Sequence, residues 1–222
     1  VFALHHATLA RQPQMADALI AATRDASIAV RMQAFKGLWQ SWFWNADQAT
    51  KEKIEDTFLA AIAEPQHPWI DRNLREGIYN IADENIRYYY NNWVALLPRE
   101  EDRRRSIEGR LAVEHRLAEK FAKVLESGPD RQKRALLAAL ADFHLRVVEP
   151  YNVEAKPGPD FPPPYNRIGN DVEQIAFFGT SADRFAKALL PLLESNDDDL
   201  RKLAQRAALL TREVRFPGVN EV

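Results

Sequence analysis

Between Asp25 and Leu38 the chain reads DASIAVRMQAFKGL, with Val30, Ala34 and Leu38 one helical turn apart and Arg31 beside the first. That spacing puts the three apolar side chains on one face of a helix. Similar pieces recur around Ile70, Gln132 and Leu200. The pattern predicts a first hairpin of two helices. One starts at Pro13 and carries Met15, Ala18, Leu19 and Ala22; the other is capped by Ser27 and runs to Trp44, with Phe35, Trp39, Trp42 and Phe43 widening its apolar side.

Asp47 or Thr50 opens the next helix, on which Ile54, Phe58, Leu59 and Ile62 form a stripe that Pro65 closes. His67 and Pro68 restart the chain as cap and first helical residue, leading into Ile70, Leu74 and Ile78, a uniform shift of 40 from positions 30, 34 and 38. A separate helix is expected from Asn85, with Ile86, Tyr90, Trp93 and Leu97 on one side and Pro98 at its end. From Arg99 to Glu126 the sequence is dense in charge, yet Ile107, Leu111, Leu117, Phe121 and Leu125 keep a helical rhythm that Gly109 threatens to interrupt. Gly128 and Pro129 mark a turn before Leu136, Leu140, Phe143 and Val147. Residues 150–179 hold six of the 13 prolines, and no regular helix passes through their PPP run. Thr180 and Asp183 suit the start of a last hairpin, with Phe185, Leu189 and Leu193 inward, a kink at Pro191, and the acidic run at 196–199 capping a final helix that carries Leu200, Ala204 and Ala208.

Aligning Val30, Ile70, Arg131 and Leu200 gives intervals of 40, 61 and 69 residues, of which the later two need insertions. The insertions are the extra helix near 86–97 and the proline-rich loop. The stretch ALLPLLESNDDDLRKLAQRAALL at 188–210 has a proline-bearing first helix, an acidic turn, and then apolar-Arg-x-x-Ala, the pattern that Val30, Arg31 and Ala34 also follow. On these residues the sequence resembles the HEAT-repeat, armadillo-like α-solenoid family, whose units run about 40–47 residues. The resemblance implies an all-α fold of about four helical hairpins with two insertions, in a single helical-repeat domain over 1–222. Two units depart from the pattern. Asp71 stands where the arginine belongs, and Arg131 and Gln132 take the apolar and arginine places, which counts against a continuous ladder of arginines between layers. More distantly, YNIADENIRYYYNNW at 79–93 and YNRIGNDVEQIAFFG at 165–179 are similar to segments of large bacterial proteins that fuse c-type cytochrome modules to HEAT-like helices. This chain has no CxxCH, so any haem part would lie outside it.

Composition narrows the chemistry. With 30 basic and 32 acidic residues the chain has no global attraction to nucleic acid or anionic membrane, and the eleven basic against eight acidic residues of 99–134 fall short of a DNA-binding groove. The absence of cysteine removes disulfides, thiolate nucleophiles and cysteine-held zinc or haem. No apolar run is long enough for a membrane span. The opening VFALHHATLARQ lacks methionine and reads as the start of an excerpt or a processed form, which leaves periplasm and cytoplasm both open.

The densest set of directional polar and aromatic residues is DENIRYYYNNW at 83–93. Consecutive tyrosines point around a helix, so at least one must be exposed or reach a partner with its hydroxyl. Asp83, Arg87, Tyr88, Tyr89 and Trp93 are therefore the binding candidates, joined by Tyr151 and Tyr165 from the Pro-Tyr-Asn tripeptides of the proline-rich loop, which suit docking into an aromatic groove. The competing expectation is structural: Asp83 and Asn85 cap a helix, its tyrosines wedge between layers, and the loop straps over a hairpin. The aromatic cluster at 35–44 likewise reads as the seam between layers more than as a ligand platform.

His115 and Glu119, four apart, read as a surface ion pair, since no HExxH accompanies them. Arg103, Arg104 and Arg105 follow Glu100, Glu101 and Asp102 as a solvated mixed-charge helix start. No P-loop, GxGxxG, zinc pattern or Ser/His/Asp set supports an enzymatic role. The expectation is a protein-interaction or scaffold module with no cofactor and no metal, engaging a protein partner or a neighbouring domain of the same chain. Two rivals are a nucleic-acid enzyme of the HEAT-like DNA glycosylase type, similar in size and all-helical make-up only, and a structural support for a neighbouring redox domain.

Overall fold

Short polar sequences decide where the helices begin. The computed structural model describes residues 13–44, 47–90, 100–148 and 182–208, and within them every regular element is an α-helix. In chain order these are α1 Pro13–Ala22, α2 Ile28–Trp44, α3 Gln48–Ala61, α4 Pro68–Tyr90, α5 Glu100–Ser127, α6 Asp130–Val148, α7 Ala182–Leu193 and α8 Asp198–Ala208. The class is all-α, and the second helices of the aligned hairpins start at Ile28, Pro68, Asp130 and Asp198, close to the expected intervals. Among the described residues no helix is long and apolar enough to cross a membrane.

Asp47, not Thr50, caps α3. Its carboxylate accepts from the Ala49 and Thr50 amides at 3.2 and 3.0 Å and from the Thr50 hydroxyl, satisfying donors that the first turn leaves open. At α4, His67 Nδ1 accepts from the Trp69 amide and the His67 carbonyl from the Ile70 amide, with Pro68 as first helical residue. Within the acidic run, Asp197 does the capping, accepting from the Asp199 and Leu200 amides at 3.1 and 3.0 Å.

The hydrogen bond from the Thr50 side chain, followed by that from its amide, holds the Asp47 carboxyl below its ordinary value. A folded-state pKa below the unfolded one means this stabilisation is full above the unfolded pKa and drains away as pH falls through the lowered one. Asp47→Asn keeps the acceptor but does not titrate. We expect near wild-type melting at neutral pH and a shallower loss of stability from about pH 4 downward, read by circular dichroism. An unchanged acid slope would show that the cap carries none of it.

Three expectations about helix continuity and facing are corrected. No new helix starts at Asn85: α4 runs unbroken from Pro68 to Tyr90, so Asp83 and Asn85 lie inside it and cap nothing. Burial of Ile78, Tyr79, Ile81 and Ala82 along this stretch outweighs the modest helix cost of Asp and Asn. Gly109 does not break α5 either; nothing crowds the space a Cβ would fill there, and the charged turns around it stay helical. On α1 the buried positions are Ala16 and Leu19 while Ala18 is exposed, and on α8 Ala207 takes the place expected of Ala208.

The chain divides into two compact units, Val1–Glu84 with Ser127–Leu140, and Asn85–Glu126 with Ala141–Val222. In the first, α1, α2 and α3 pack on one another around Leu19, Leu38, Ile54, Phe58 and Ile62, and the α4 stripe of Ile70, Leu74 and Ile78 is fully inside. Each such side chain contributes about 1.5–3 kcal/mol by leaving water. Phe35 and Phe58 meet at 5.5 Å between centroids, and Trp42 is buried, so these two residues of the aromatic cluster, Phe35 and Trp42, lie in a seam. Trp42 Nε1 donates at 2.9 Å to a carboxylate oxygen of Glu55, a charged group only 2% exposed, while Lys51 Nζ stands 4.7 Å over the indole.

In the second unit α7 and α8 form a hairpin, with Phe185, Leu189, Leu200 and Ala204 buried, and Pro191 lies inside the last turn of α7. Arg184 on α7 bonds Glu119 and, bidentately, Glu126 on α5. The hydrogen bond from Arg184 holds Glu126 below the ordinary glutamate value and the same bond raises the guanidinium.

Candidate functional site

One position recurs in every aligned hairpin: the residue after the first apolar position of the second helix, occupied by Arg31, Asp71, Gln132 and Arg201. In the first unit it fastens one layer to the next. Arg31 Nη1 on α2 donates to Gln66 Oε1 at 3.3 Å, in the turn that leads into α4. Gln132 Nε2 on α6 donates at 2.6 Å to the Leu59 carbonyl of α3. Asp71 on α4 accepts both bonds of a bidentate pair from Arg131 Nη2, at 2.9 and 3.0 Å, while Arg131 Nε donates to the Glu64 carbonyl at 2.9 Å.

The two departures from the repeat pattern thus form one compensated link, with the sign of the charge exchanged between neighbouring layers. In the second unit Arg201 makes the corresponding bond inside its own hairpin, to the Ser195 carbonyl at 2.9 Å, and also pairs with Asp198. The ladder is therefore not one of arginines, but the position keeps its linking role through different donors and acceptors.

These links set the first turns of α2, α4 and α6 side by side. The outward face of α4 carries Trp69, Arg72, Asn73 and Glu76 at helical spacing, opposite the buried Ile70, Leu74 and Ile78. Trp69 is 57% exposed, and Asn73 Nδ2 donates to its carbonyl at 2.9 Å. At the aligned places α6 has Asp130, Lys133, Arg134 and the buried Leu137, and α2 has Ala29, Met32, Gln33 and Lys36.

A half-open groove of about 330 Å³ lies between α1, α2 and α3, with Arg24, Asp56, Glu64 and Gln66 around a floor that includes Phe35. Gln66 is also the acceptor of the Arg31 link, so the groove and the linking edge share a wall.

Of the residues singled out in the sequence, Asp83, Arg87, Tyr88 and Tyr89 occupy the last turns of α4, where the backbone alone is described. Trp93, Tyr151 and Tyr165 lie outside the described residues, as does the proline-rich loop. Glu119, expected to pair with His115, is bonded by Arg184. Among the described residues no three His, Asp or Glu side chains are grouped to hold a metal ion. Sequence reasoning missed Trp69; its signal was an indole falling just outside the Ile70, Leu74, Ile78 stripe.

No family model matches this sequence, and no curated protein matches it either. Among solved structures it is similar to a designed armadillo repeat protein, at 15% identity over 95% of this chain and 92% of that one, with a TM-score of 0.27. It is also similar to an engineered protein, at 14% identity over 92% and 86% of the two chains, with a TM-score of 0.29. At that degree of overlap the all-α class stands on the helices and their contacts alone.

Proposed function

We propose that the chain is a protein-interaction module, a scaffold without catalytic activity of its own, that engages a protein partner or a neighbouring domain of the same chain. One observation supports this reading. The layers of the first unit are fastened through a recurring position at their turns, which leaves the outward faces of α2, α4 and α6 free to vary without disturbing the stripes beneath. Surfaces built from consecutive helices in this way are suited to extended ligands. Separately from these faces, we propose Asp83, Arg87, Tyr88, Tyr89, Trp93, Tyr151 and Tyr165 as binding residues, on the grounds given by the sequence.

The test is selection of a random-peptide library on the folded chain, with the heat-unfolded chain as control. Peptides enriched on the folded form alone, with saturable binding, are the expected result. A failure to enrich anything removes the interaction reading. Salt-sensitive retention of duplex DNA would transfer the case to a nucleic-acid enzyme.

A further inference from the structure

We propose that the outward face of α4 centred on Trp69, with the aligned faces of α2 and α6, binds an acidic peptide segment that seats an apolar side chain on the indole. The proposal deepens the interaction-module reading and rests on it.

The first observation is the tryptophan itself. An indole offers a large rigid contact at low entropic cost, and Trp and Arg dominate binding hot spots. Trp69 leaves more than half of its surface in water although the stripe next to it is fully inside. Arg72 lies one turn further on the same face, within reach of anything that covers the ring.

The second observation is charge. The aligned places of α2, α4 and α6 carry Lys36, Arg72, Lys133 and Arg134 against Glu76 and Asp130, a basic excess on a chain whose net charge is -2, with Lys133 and Arg134 half-buried. The Arg131–Asp71 link holds α6 against α4, and the Arg31–Gln66 link holds α2 against the turn that leads into α4. Among the described residues Arg72 and Lys133 enter no ion pair, whereas Asp71 and Arg131 nearby satisfy each other. A carboxylate-bearing segment would supply the missing partners, and a basic one would be repelled. The two acidic residues at these places disfavour the regular phosphates of a nucleic acid, which need a continuous basic track.

Fluorescence anisotropy tests this with the full chain and three labelled probes: a short Asp/Glu-rich peptide with one central Phe, a Lys-rich peptide of the same design, and an oligothymidylate. The acidic peptide is expected to bind saturably. Trp69→Ala should weaken it by about tenfold or more, Trp69→Phe by less, and Arg72→Glu and Lys133→Glu should also weaken it, while Lys187→Glu on α7 leaves it unchanged. Circular dichroism of each variant establishes that the helices persist.

Equal or tighter binding of the basic peptide or the oligonucleotide overturns the proposal. So does acidic-peptide binding indifferent to Trp69→Ala, or no binding of the acidic peptide at all. If library selection still yields binders that ignore Trp69→Ala, the module reading survives and only this site falls. If selection yields none, both fall.

Discussion

Gly77→Ala lowers the stability of the first unit by about 1–3 kcal/mol, the range for overpacking a filled core, and Phe58→Leu in the same chain returns part of that loss. A Cβ built on Gly77 would overlap Cε1 of Phe58 and stand 2.5 Å from its Cζ. The ring cannot swing clear, because Phe58 is 1% exposed and packs, tilted by 50°, against Phe35. Glycine here serves close approach of α4 to α3 and not backbone freedom. Leucine at 58 removes the crowded ring atoms, so the two changes should be non-additive in a double-mutant cycle of denaturant unfolding. Additive losses would mean that the two helices are not in close contact at this point.

Trp42→Phe is the second large effect. It takes from Glu55 the indole donor 2.9 Å away and leaves a carboxylate, 2% exposed, with one bond fewer. Removing a partner from a buried polar group costs about 1–3 kcal/mol, and more where the group is charged. Adding Glu55→Leu to Trp42→Phe removes the carboxylate that lost its indole donor and should recover part of that loss. The void left by the smaller ring is common to both backgrounds, so it cancels in the comparison. Unfolding midpoints of the four chains decide it. No recovery in the double variant would assign the whole loss to packing and none to the hydrogen bond.

Much of the core was legible because helical periodicity depends on neighbours three and four apart. Ile54, Phe58, Leu59 and Ile62 are buried as their spacing requires, and so are Ile70, Leu74 and Ile78. The caps at His67 and within the acidic run were legible for the same local reason. What stayed hidden depends on residues distant in sequence. The bond between Trp42 and Glu55 joins two helices across a turn, and no period announces it. Asp71 and Arg131 each looked like a defect, because a repeat motif is scored one unit at a time while the bond that explains both spans two.

The continuity of α4 through Asp83 and Asn85 was misjudged on propensity, which side-chain burial on the same helix overrides. For the candidate surface, consecutive aromatics drew attention to 83–93, whereas the exposed indole at 69 stands alone in the sequence. A residue is conspicuous there through its neighbours in the chain, and on a surface through the neighbours it lacks.

The fastening position carries one further consequence. Its chemistry differs at each occurrence: guanidinium to amide at the first junction, carboxylate to guanidinium and amide to carbonyl at the second. The hairpins of the first unit are therefore not interchangeable bricks. Excising the middle one would strip Arg131 of both its acceptors, and duplicating it would set Ile70, which aligns with Arg131, where the first copy's Asp71 needs a guanidinium. Their order along the chain is spelled out in the joints, not in the greasy stripes that all of them share.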